Sequence, residues 1–412
     1  MNRTIRFSKR DIYAALVFLA IYCSHDTLLF GTNADGRFVL IRKAVPFLLL
    51  ICLLLLNHNF QISKEALCAC LVILVLPIAS CVVNGEDTNN YIYRAAIMFS
   101  ALLFLLVGKR NEFMDLFNKI LYLLSIWAIA SYAIRLILPQ LVSLFPRVIN
   151  TAGQTFYFMG LSNVNRSLHY GMVRSMGIFR EPGVFSVMLT IALINEMVVL
   201  KKCRFKYVMA YTVAMVTTFS TAGFLILVGI YTYYLLIERK IKHKGWYIFL
   251  IFVAVAVIGT QTDLLSKDGA IFDKFVKGSN SYGSWLARVL SITQSISIAL
   301  DNPLFGIGRY ALYDTVLGKT GVYRTVDNTN TILIGFAAYG IVYGVMTLWG
   351  CWRFVRKNCP GFIGSAILFL SLMMALSNED FGQNILYYYI VFDGLNLPFG
   401  SEKSYQETNE RL

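Results

Sequence analysis

Residues 44–56 read AVPFLLLICLLLL, an uninterrupted apolar run, and similar runs recur along the whole chain. Crossing a hydrocarbon core of about 30 Å takes roughly 20 helical residues. About twelve windows approach that length, so we predict an all-α polytopic integral membrane protein that forms a single transmembrane domain over residues 1–412. The predicted spans are residues 12–30, 40–56, 66–83, 92–108, 114–138, 182–200, 206–220, 222–237, 246–261, 331–352, 362–377 and 383–398.

The bulk composition supports the membrane class. Of the 412 residues, 57% are hydrophobic and 15% are charged, and the mean hydropathy is +0.61. A soluble protein of this length needs more charge to cover its surface. Backbone groups in lipid must be satisfied within helices or closed barrels. The alternating pattern of a membrane barrel is absent from the sequence, so helices are predicted.

The basic residues give the chain a formal net charge of +14, and most of them lie in short clusters between the predicted spans. Such clusters orient membrane helices, with the basic loops on the cytoplasmic side. A twelve-span topology puts these clusters on one side, so we predict cytoplasmic N- and C-termini and no nucleic-acid partner. The clusters are the N-terminus and residues 109–110, 201–206, 239–244 and 353–357.

Two long segments, residues 139–181 and 262–330, then fall on the outer face. Ordered connections longer than about 15 residues are usually functional. Both segments carry more Arg, Asn, Tyr and Ser than the rest of the chain. We therefore expect the chemistry of the protein in these two extracytoplasmic loops.

The first outer segment ends in RSMGIFREPGVF at residues 174–185. Pro182 suits the first turn of a helix, and Glu181 suits its N-terminus, so one interpretation is a well-capped span with interfacial arginines beside it. The alternative is an anion site, because guanidinium groups and helix N-termini both bind phosphate oxygens. The segment favours this alternative because it holds Arg147, Arg166, Arg174 and Arg180 on the side where orientation rules disfavour them.

The second outer segment contains a predicted amphipathic helix over residues 284–300. Its apolar positions recur at helical spacing, which indicates a helix lying along the membrane surface. Arg288 lies on this helix. The apolar positions are Trp285, Val289, Ile292 and Ile296.

Two polar motifs follow the helix. Residues 302–308 read NPLFGIG, which is typical of a turn that ends a helix; its two glycines also permit close backbone approach to a ligand. Residues 327–330 read DNTN and run straight into the next predicted span, as an N-capping cluster does.

Several of these motifs together resemble the O-antigen polymerase and O-antigen ligase superfamily. The first is Arg-x-x-Gly-x-Phe-x-Glu-Pro at 174–182; the others are NPLFGIG at 302–308, the Asn-rich run before a span, and AYGIVYG at 338–344. Ser220–Gly223 resembles the small-polar break between two central spans of that family. The resemblance covers roughly the second half of the chain, and the first five spans resemble the family only in hydropathy.

The resemblance implies a membrane-embedded glycosyltransferase of GT-C-like architecture in the bacterial inner membrane. Its donor and acceptor would be undecaprenyl-pyrophosphate-linked oligosaccharides in the lipid bilayer. The product would be a surface polysaccharide, either the O-antigen of lipopolysaccharide or a capsule. Such enzymes need no metal or other cofactor, and a chain-length regulator and a flippase are the implied protein partners.

Carried over by motif, Arg180 and Arg288 match the two family arginines that bind the lipid pyrophosphate. Glu181 and Asp327 lead the candidates for the general base, which the sequence leaves open among Asp301, Glu379, Asp380 and His169 as well. The ligases carry His-Asn where this chain has Thr329-Asn330, which favours a repeat-unit polymerase. The predicted substrate-binding residues are Arg174, Asn302, Gly306, Gly308, Arg309, Asn328 and Asn330.

Three other interpretations compete with the polymerase. A ligase of the same superfamily is disfavoured by the missing His. A transporter or flippase for the lipid-linked sugar would place ionisable residues near the bilayer midplane and often show inverted repeats. The predicted spans are poor in such residues and show no internal repeat. A membrane scaffold would leave the clustered outer arginines without a role.

Overall fold

The computed structural model of the protein describes residues 8–56, 64–108, 111–166, 173–237, 245, 282–312, 329–359 and 361–396. Most of these residues are helical, and short π-helical turns occupy Leu28–Thr32 and Asn195–Val199. The α-helices are α1 (Lys9–Tyr22), α2 (Gly36–Leu56), α3 (Lys64–Val83), α4 (Thr88–Val107), α5 (Glu112–Ile137), α6 (Pro139–Val142), α7 (Pro182–Ile194), α8 (Phe205–Thr217), α9 (Thr221–Ile237), α10 (Tyr282–Asp301), α11 (Thr331–Tyr339), α12 (Ile341–Asn358), α13 (Phe362–Leu376) and α14 (Ile385–Leu395).

Several helices have the length and composition of membrane spans. Within the described ranges, four stretches are long and apolar enough to cross a bilayer: Gly36–Leu56, Ala66–Val83, Glu112–Ile137 and Pro182–Val199. Shorter apolar helices accompany them. The protein is thus a polytopic membrane protein in composition and architecture, while the count of twelve spans stays a prediction. The predicted span 246–261 lies outside the described residues.

The helix α7 forms the centre of the bundle. It packs against α5, α8, α9 and α13, and 89% of its candidate span is buried. A helix that is apolar on every side is stable only where neighbours or lipid surround it. By contrast, α2 presents Leu55 outward at 72% exposure, as expected of a helix whose outer face meets lipid.

Two predicted spans are divided in the structure. The span 12–30 is not one helix: α1 ends at Tyr22, and the following segment buries the polar side chains of Asp26 and Thr27. The span 331–352 breaks at Gly340, whose φ of +90° separates α11 from α12. In both cases the hydropathy average over the window hides the polar or glycine residues at which the chain changes direction.

The first outer segment also departs from the all-helical prediction. It contains a three-stranded antiparallel sheet in the order β1-β2-β3, with Val148 of β1 opposite Phe156 of β2. These two side chains pack with Leu28 and Met176 in a small core of their own. The strands are β1 (Arg147–Ile149), β2 (Thr155–Phe158) and β3 (Asn163–Asn165).

The amphipathic helix is present as α10, and the structure shows which side faces the protein. Ser291 and Ser295 are fully buried, whereas Ile292 and Ile296 are 38% and 45% exposed. The helix packs against α11. Ile292 and Ile296 of the apolar stripe therefore point away from the protein, which is the orientation that a membrane-surface helix needs.

The turn motif at 302–308 docks onto the break between α11 and α12. The Ile307 N–H donates to the Ala337 carbonyl at 3.0 Å, the Gly308 N–H donates to Ala338 at 3.1 Å, and the Ile341 N–H donates to Pro303 at 2.7 Å. A Cβ on Gly340 would lie 2.2 Å from the Leu304 carbonyl oxygen. The two motifs at 302–308 and 338–344 thus form one backbone-to-backbone contact that requires glycine.

We expect Gly340→Ala to destabilise the protein by more than about 2 kcal/mol, because it adds a steric clash to left-handed backbone strain. The matched control is Gly153→Ala, at a φ of +78° with open space around the added methyl group. The control isolates the strain and should cost about 1 kcal/mol. Thermal unfolding of the purified proteins in detergent measures both; equal losses would contradict the docking.

Candidate functional site

A single acidic turn, residues 377–384 between α13 and α14, lies at the centre of a buried charged cluster. Its backbone is fixed on both sides. The Phe381 N–H donates to the Thr331 hydroxyl at 2.8 Å, and that hydroxyl donates to the Glu379 carbonyl at 2.6 Å. The Tyr388 hydroxyl donates to the Gly382 carbonyl at 3.1 Å. The turn is therefore held rigidly before any side-chain charge is considered.

Arg180 reaches this turn from the start of α7. Its Nη2 lies 3.4 Å from a Glu379 carboxylate oxygen, and its Nε lies 3.8 Å from Oδ1 of Asp26. The Arg180 N–H also donates to the Asp26 carbonyl at 2.8 Å, and the Asn384 side chain donates to Asp26 Oδ2 at 2.5 Å. Burial alone would lower the pKa of Arg180. The negative charges of Glu379 and then Asp26 outweigh burial, so the pKa is raised.

Arg309 approaches the same turn from the end of the NPLFGIG motif. Its guanidinium, 2% exposed, forms an ion pair with Asp380. Its backbone N–H donates to Glu86 at 3.0 Å, and the Tyr310 and Ala311 N–H groups donate to Glu86 at 2.8 and 2.9 Å. Burial alone would raise the pKa of Asp380; Arg309 and the Gly382 N–H more than offset this and lower it.

Arg94 of α4 is the third arginine. Its Nη1 donates to the Gly382 carbonyl at 3.0 Å, and its guanidinium stands 5.7 Å from the centre of the Tyr339 ring. Its side chain is buried. Three guanidinium groups from three separate parts of the chain thus converge on the four residues 379–382.

The three arginines differ in access. Arg94 and Arg309 are buried, while the side chain of Arg180 is 19% exposed. Arg180 Nε and Asp26 Oδ1 face each other at 3.8 Å, beyond hydrogen-bond distance. Of the three arginines, Arg180 is therefore the one whose side chain is accessible from outside the cluster.

The structure brings Arg180 and Arg309, both predicted from sequence, into one cluster with the acidic turn. Glu181 lies beside Arg180 as the exposed N-cap residue of α7. Arg174 lies apart, where its Nε donates to the Thr218 carbonyl at 2.8 Å, at the break between α8 and α9.

The remaining predicted residues serve local structure or lie outside the described ranges. The Asn302 amide donates to the Ile298 carbonyl, and Asn330 caps α11 by accepting the Leu333 N–H at 3.0 Å. Gly306 and Gly308 approach protein groups, the first the Ala337 and Ala338 backbone and the second Glu86. Arg288 lies on α10, and its side chain is outside the described part, as are Asp327, Asn328 and His169.

Sequence reasoning missed three members of the cluster: Asp26, Glu86 and Arg94. Two of them offered a signal. Asp26 lies in predicted span 12–30 and Arg94 in span 92–108, and an ionisable residue inside a span is by itself a reason to expect function. Glu86 gave no such signal, because a carboxylate in a short outer loop is ordinary.

The fold and the cluster together define a helical membrane protein with a buried arginine–carboxylate site. Residues 207–330 match the family model of O-antigen ligase. This match confirms the resemblance drawn from the motifs and places that region in the O-antigen polymerase and ligase superfamily. It includes α10 and the NPLFGIG motif but neither Arg180 nor the acidic turn. No curated protein and no solved structure matches the chain.

The pKa of Asp26 generates a prediction on stability. Burial raises this pKa to about 6, against the opposing effects of Arg180 and Asn384. The native protein then holds a proton between about pH 4 and 6 that the unfolded chain releases, so the contribution of Asp26 to stability falls as pH rises. The melting temperature of Asp26→Asn, relative to wild type, should therefore rise from pH 4 to pH 7.

Asp35→Asn provides the control from the same inter-helix segment. Hydrogen bonds from Arg37 lower the pKa of Asp35, so its stabilising contribution is present at neutral pH and lost on acidification. The relative stability of this variant should fall as pH rises. Parallel trends in the two variants would contradict the assignment of a raised pKa to Asp26.

Proposed function

We propose that the protein is a polymerase that joins undecaprenyl-pyrophosphate-linked oligosaccharide repeat units on the outer face of the cytoplasmic membrane. The match to the O-antigen ligase family supports glycan transfer in O-antigen assembly. The observation that carries the proposal is the partly exposed Arg180, held beside two buried arginines. Such a cluster suits a pyrophosphate leaving group in a membrane protein.

The reaction requires stabilisation of developing negative charge. The acceptor hydroxyl oxygen bonds to the anomeric carbon of the donor sugar, and the bond from that carbon to the pyrophosphate oxygen breaks. The electron pair leaves with the polyprenyl pyrophosphate. Fixed guanidinium groups stabilise that charge without reorganising during the reaction. The ion pairs of Arg180 with Glu379 and of Arg309 with Asp380 hold these two guanidinium groups in place. Arg288 would approach from α10.

The acceptor proton needs a base within hydrogen-bond reach. We favour Glu181 as this base because it is exposed and directly follows Arg180 in the chain. Glu379 and Asp380 are disfavoured because both pair with arginines. Asp327, the second candidate from the sequence, lies outside the described residues.

The second candidate function is ligation of a finished glycan to another acceptor. The description of the matching family, O-antigen ligase, favours it. The ligases carry His-Asn at a position where this chain has Thr329-Asn330. Because the His is missing, we retain the polymerase. In the structure Asn330 caps α11 and Thr329 precedes it.

Turnover by the purified protein tests the proposal, with the matching undecaprenyl-pyrophosphate repeat unit as substrate. Wild type should produce a ladder of glycan lengths. Arg180→Ala should lower the turnover number by at least about 100-fold, since loss of one electrostatic donor costs that much in other enzymes. Arg180→Lys keeps the charge but loses the planar fork, so it should fold and still be strongly impaired.

Arg288→Ala belongs in the same assay, with the same expected loss. Arg147→Ala is the matched control, because this exposed arginine of β1 lies in the same outer segment. It should retain turnover. A single transfer to a lipid A-core acceptor, without chain growth, would establish the ligase instead. If folded wild-type protein transfers glycan to neither acceptor, both the polymerase and the ligase function are contradicted.

A further inference from the structure

A cavity of about 800 Å³ lies at the opposite end of the helices from the acidic turn. It lies where α1 and α5 begin and where α2 and α4 end, whereas Asp26 follows α1 and Arg94 lies near the start of α4. Its polar lining includes Lys9, Arg10, Glu112, Asp115 and Lys202. None of these residues belongs to the site described above.

The charges of this cavity are layered. The cations are outermost: the side chains of Arg10 and Lys202 are 68% and 45% exposed. The carboxylates lie deeper, with Glu112 at 22% and Asp115 at 15% exposure. Arg10 pairs with Glu112 at 3.7 Å, and Lys202 pairs with Asp115 at 2.6 Å. The carboxylates thereby hold the cations at the rim, where a ligand meets positive charge first.

Further cations lie around Asp115. Lys119 pairs with it at 2.9 Å, and Arg204 lies 3.5 Å from it while pairing more closely with Glu196 at 2.7 Å. The N-terminus of α5 faces the cavity through Asn111, and the positive end of a helix dipole favours an anion. The site thus selects for negative charge.

The other wall of the cavity is apolar and continues onto the lipid-facing surface. Leu56, Val107 and Leu200 line it. Leu56 ends a candidate membrane span, and on the preceding turn Leu54 and Leu55 are 46% and 72% exposed. A ligand in the cavity therefore has its charged part among the cations and an open apolar path beside α2.

We propose that this cavity binds the phosphodiester headgroup of an anionic phospholipid, with its acyl chains along α2. Lys9, Arg10 and Lys202 contact the phosphate oxygens. A soluble phosphate would use the cations but not the apolar wall. A neutral or zwitterionic lipid would use the wall but lack the net negative charge that the cations favour. The proposal is independent of the glycosyltransferase reaction.

Thermal-shift titration of the purified full-length protein in detergent tests this. The probes are phosphatidylglycerol, phosphatidylethanolamine, phosphatidylcholine and sn-glycerol 3-phosphate. We expect phosphatidylglycerol to raise the melting temperature most. The triple variant Lys9→Gln, Arg10→Gln, Lys202→Gln should bind it roughly tenfold more weakly, since each basic residue near a lipid surface contributes to anionic-lipid attraction. Lys206→Gln, a basic residue of α8 outside the lining, is the matched control.

Lys9→Gln alone guards against misfolding of the triple variant, because Lys9 is exposed. It should weaken phosphatidylglycerol binding while leaving the melting temperature without lipid unchanged. Three results would overturn the proposal: equal shifts with phosphatidylcholine or phosphatidylethanolamine, a full shift with sn-glycerol 3-phosphate, or unchanged binding in Lys9→Gln and the triple variant.

Discussion

Burial of arginine inside a membrane protein requires carboxylates or backbone carbonyls as partners at the same depth, and the acidic turn supplies both here. Glu379 faces Arg180, Asp380 faces Arg309, and the Gly382 carbonyl accepts from Arg94. An unpaired buried charge costs several kcal/mol, and breaking a buried pair costs about 3–5 kcal/mol. Four consecutive residues therefore determine where three segments, distant in sequence, can lie.

The carboxylates of the cluster explain why glycine occupies two positions of the sequence motifs. A Cβ on Gly183 would lie 2.2 Å from a Glu379 carboxylate oxygen, and one on Gly308 would lie 2.3 Å from Glu86. The glycine after Glu-Pro thus makes room for the partner of Arg180. Gly308 makes room for the carboxylate that orders the backbone at Arg309. In this structure both glycines therefore serve to position the arginines.

Local patterns predicted local structure well. Pro182 begins α7, Asn330 caps α11, and NPLFGIG ends the helix before it, as the turn and capping preferences of these residues indicate. Arg180 was also identified, because arginines clustered in one predicted outer segment are unusual, and Arg309 was identified because it directly follows the NPLFGIG motif.

The rest depends on pairing between distant segments, which no local pattern encodes. The contact between Arg309 and Asp380 joins residues that no periodicity relates, and the role of Glu86 appears only when Gly308 is placed against it. Hydropathy averaged over the polar residues after Tyr22 and over Gly340, so both breaks were missed. The small sheet was missed because three- and four-residue strands are too short to show alternation.

The two ends of the helices differ in electrostatic design. At the acidic turn, cations are buried and fixed by carboxylates beneath an arginine with partial access. At the basic end, carboxylates are deeper and cations stand at the rim. The first arrangement suits a site that acts on a charged group during a reaction, and the second suits a surface that attracts a charged lipid.

The most direct test of the central claim is a double-mutant cycle on Arg309 and Asp380. Thermal unfolding would compare Arg309→Gln, Asp380→Asn and the double variant with wild type in detergent. Each single change leaves a buried charge and should cost about 3–5 kcal/mol. The double change leaves none, so the account predicts a loss well below the sum of the two. Additive losses would show that the pair does not form and would contradict the role given to the acidic turn.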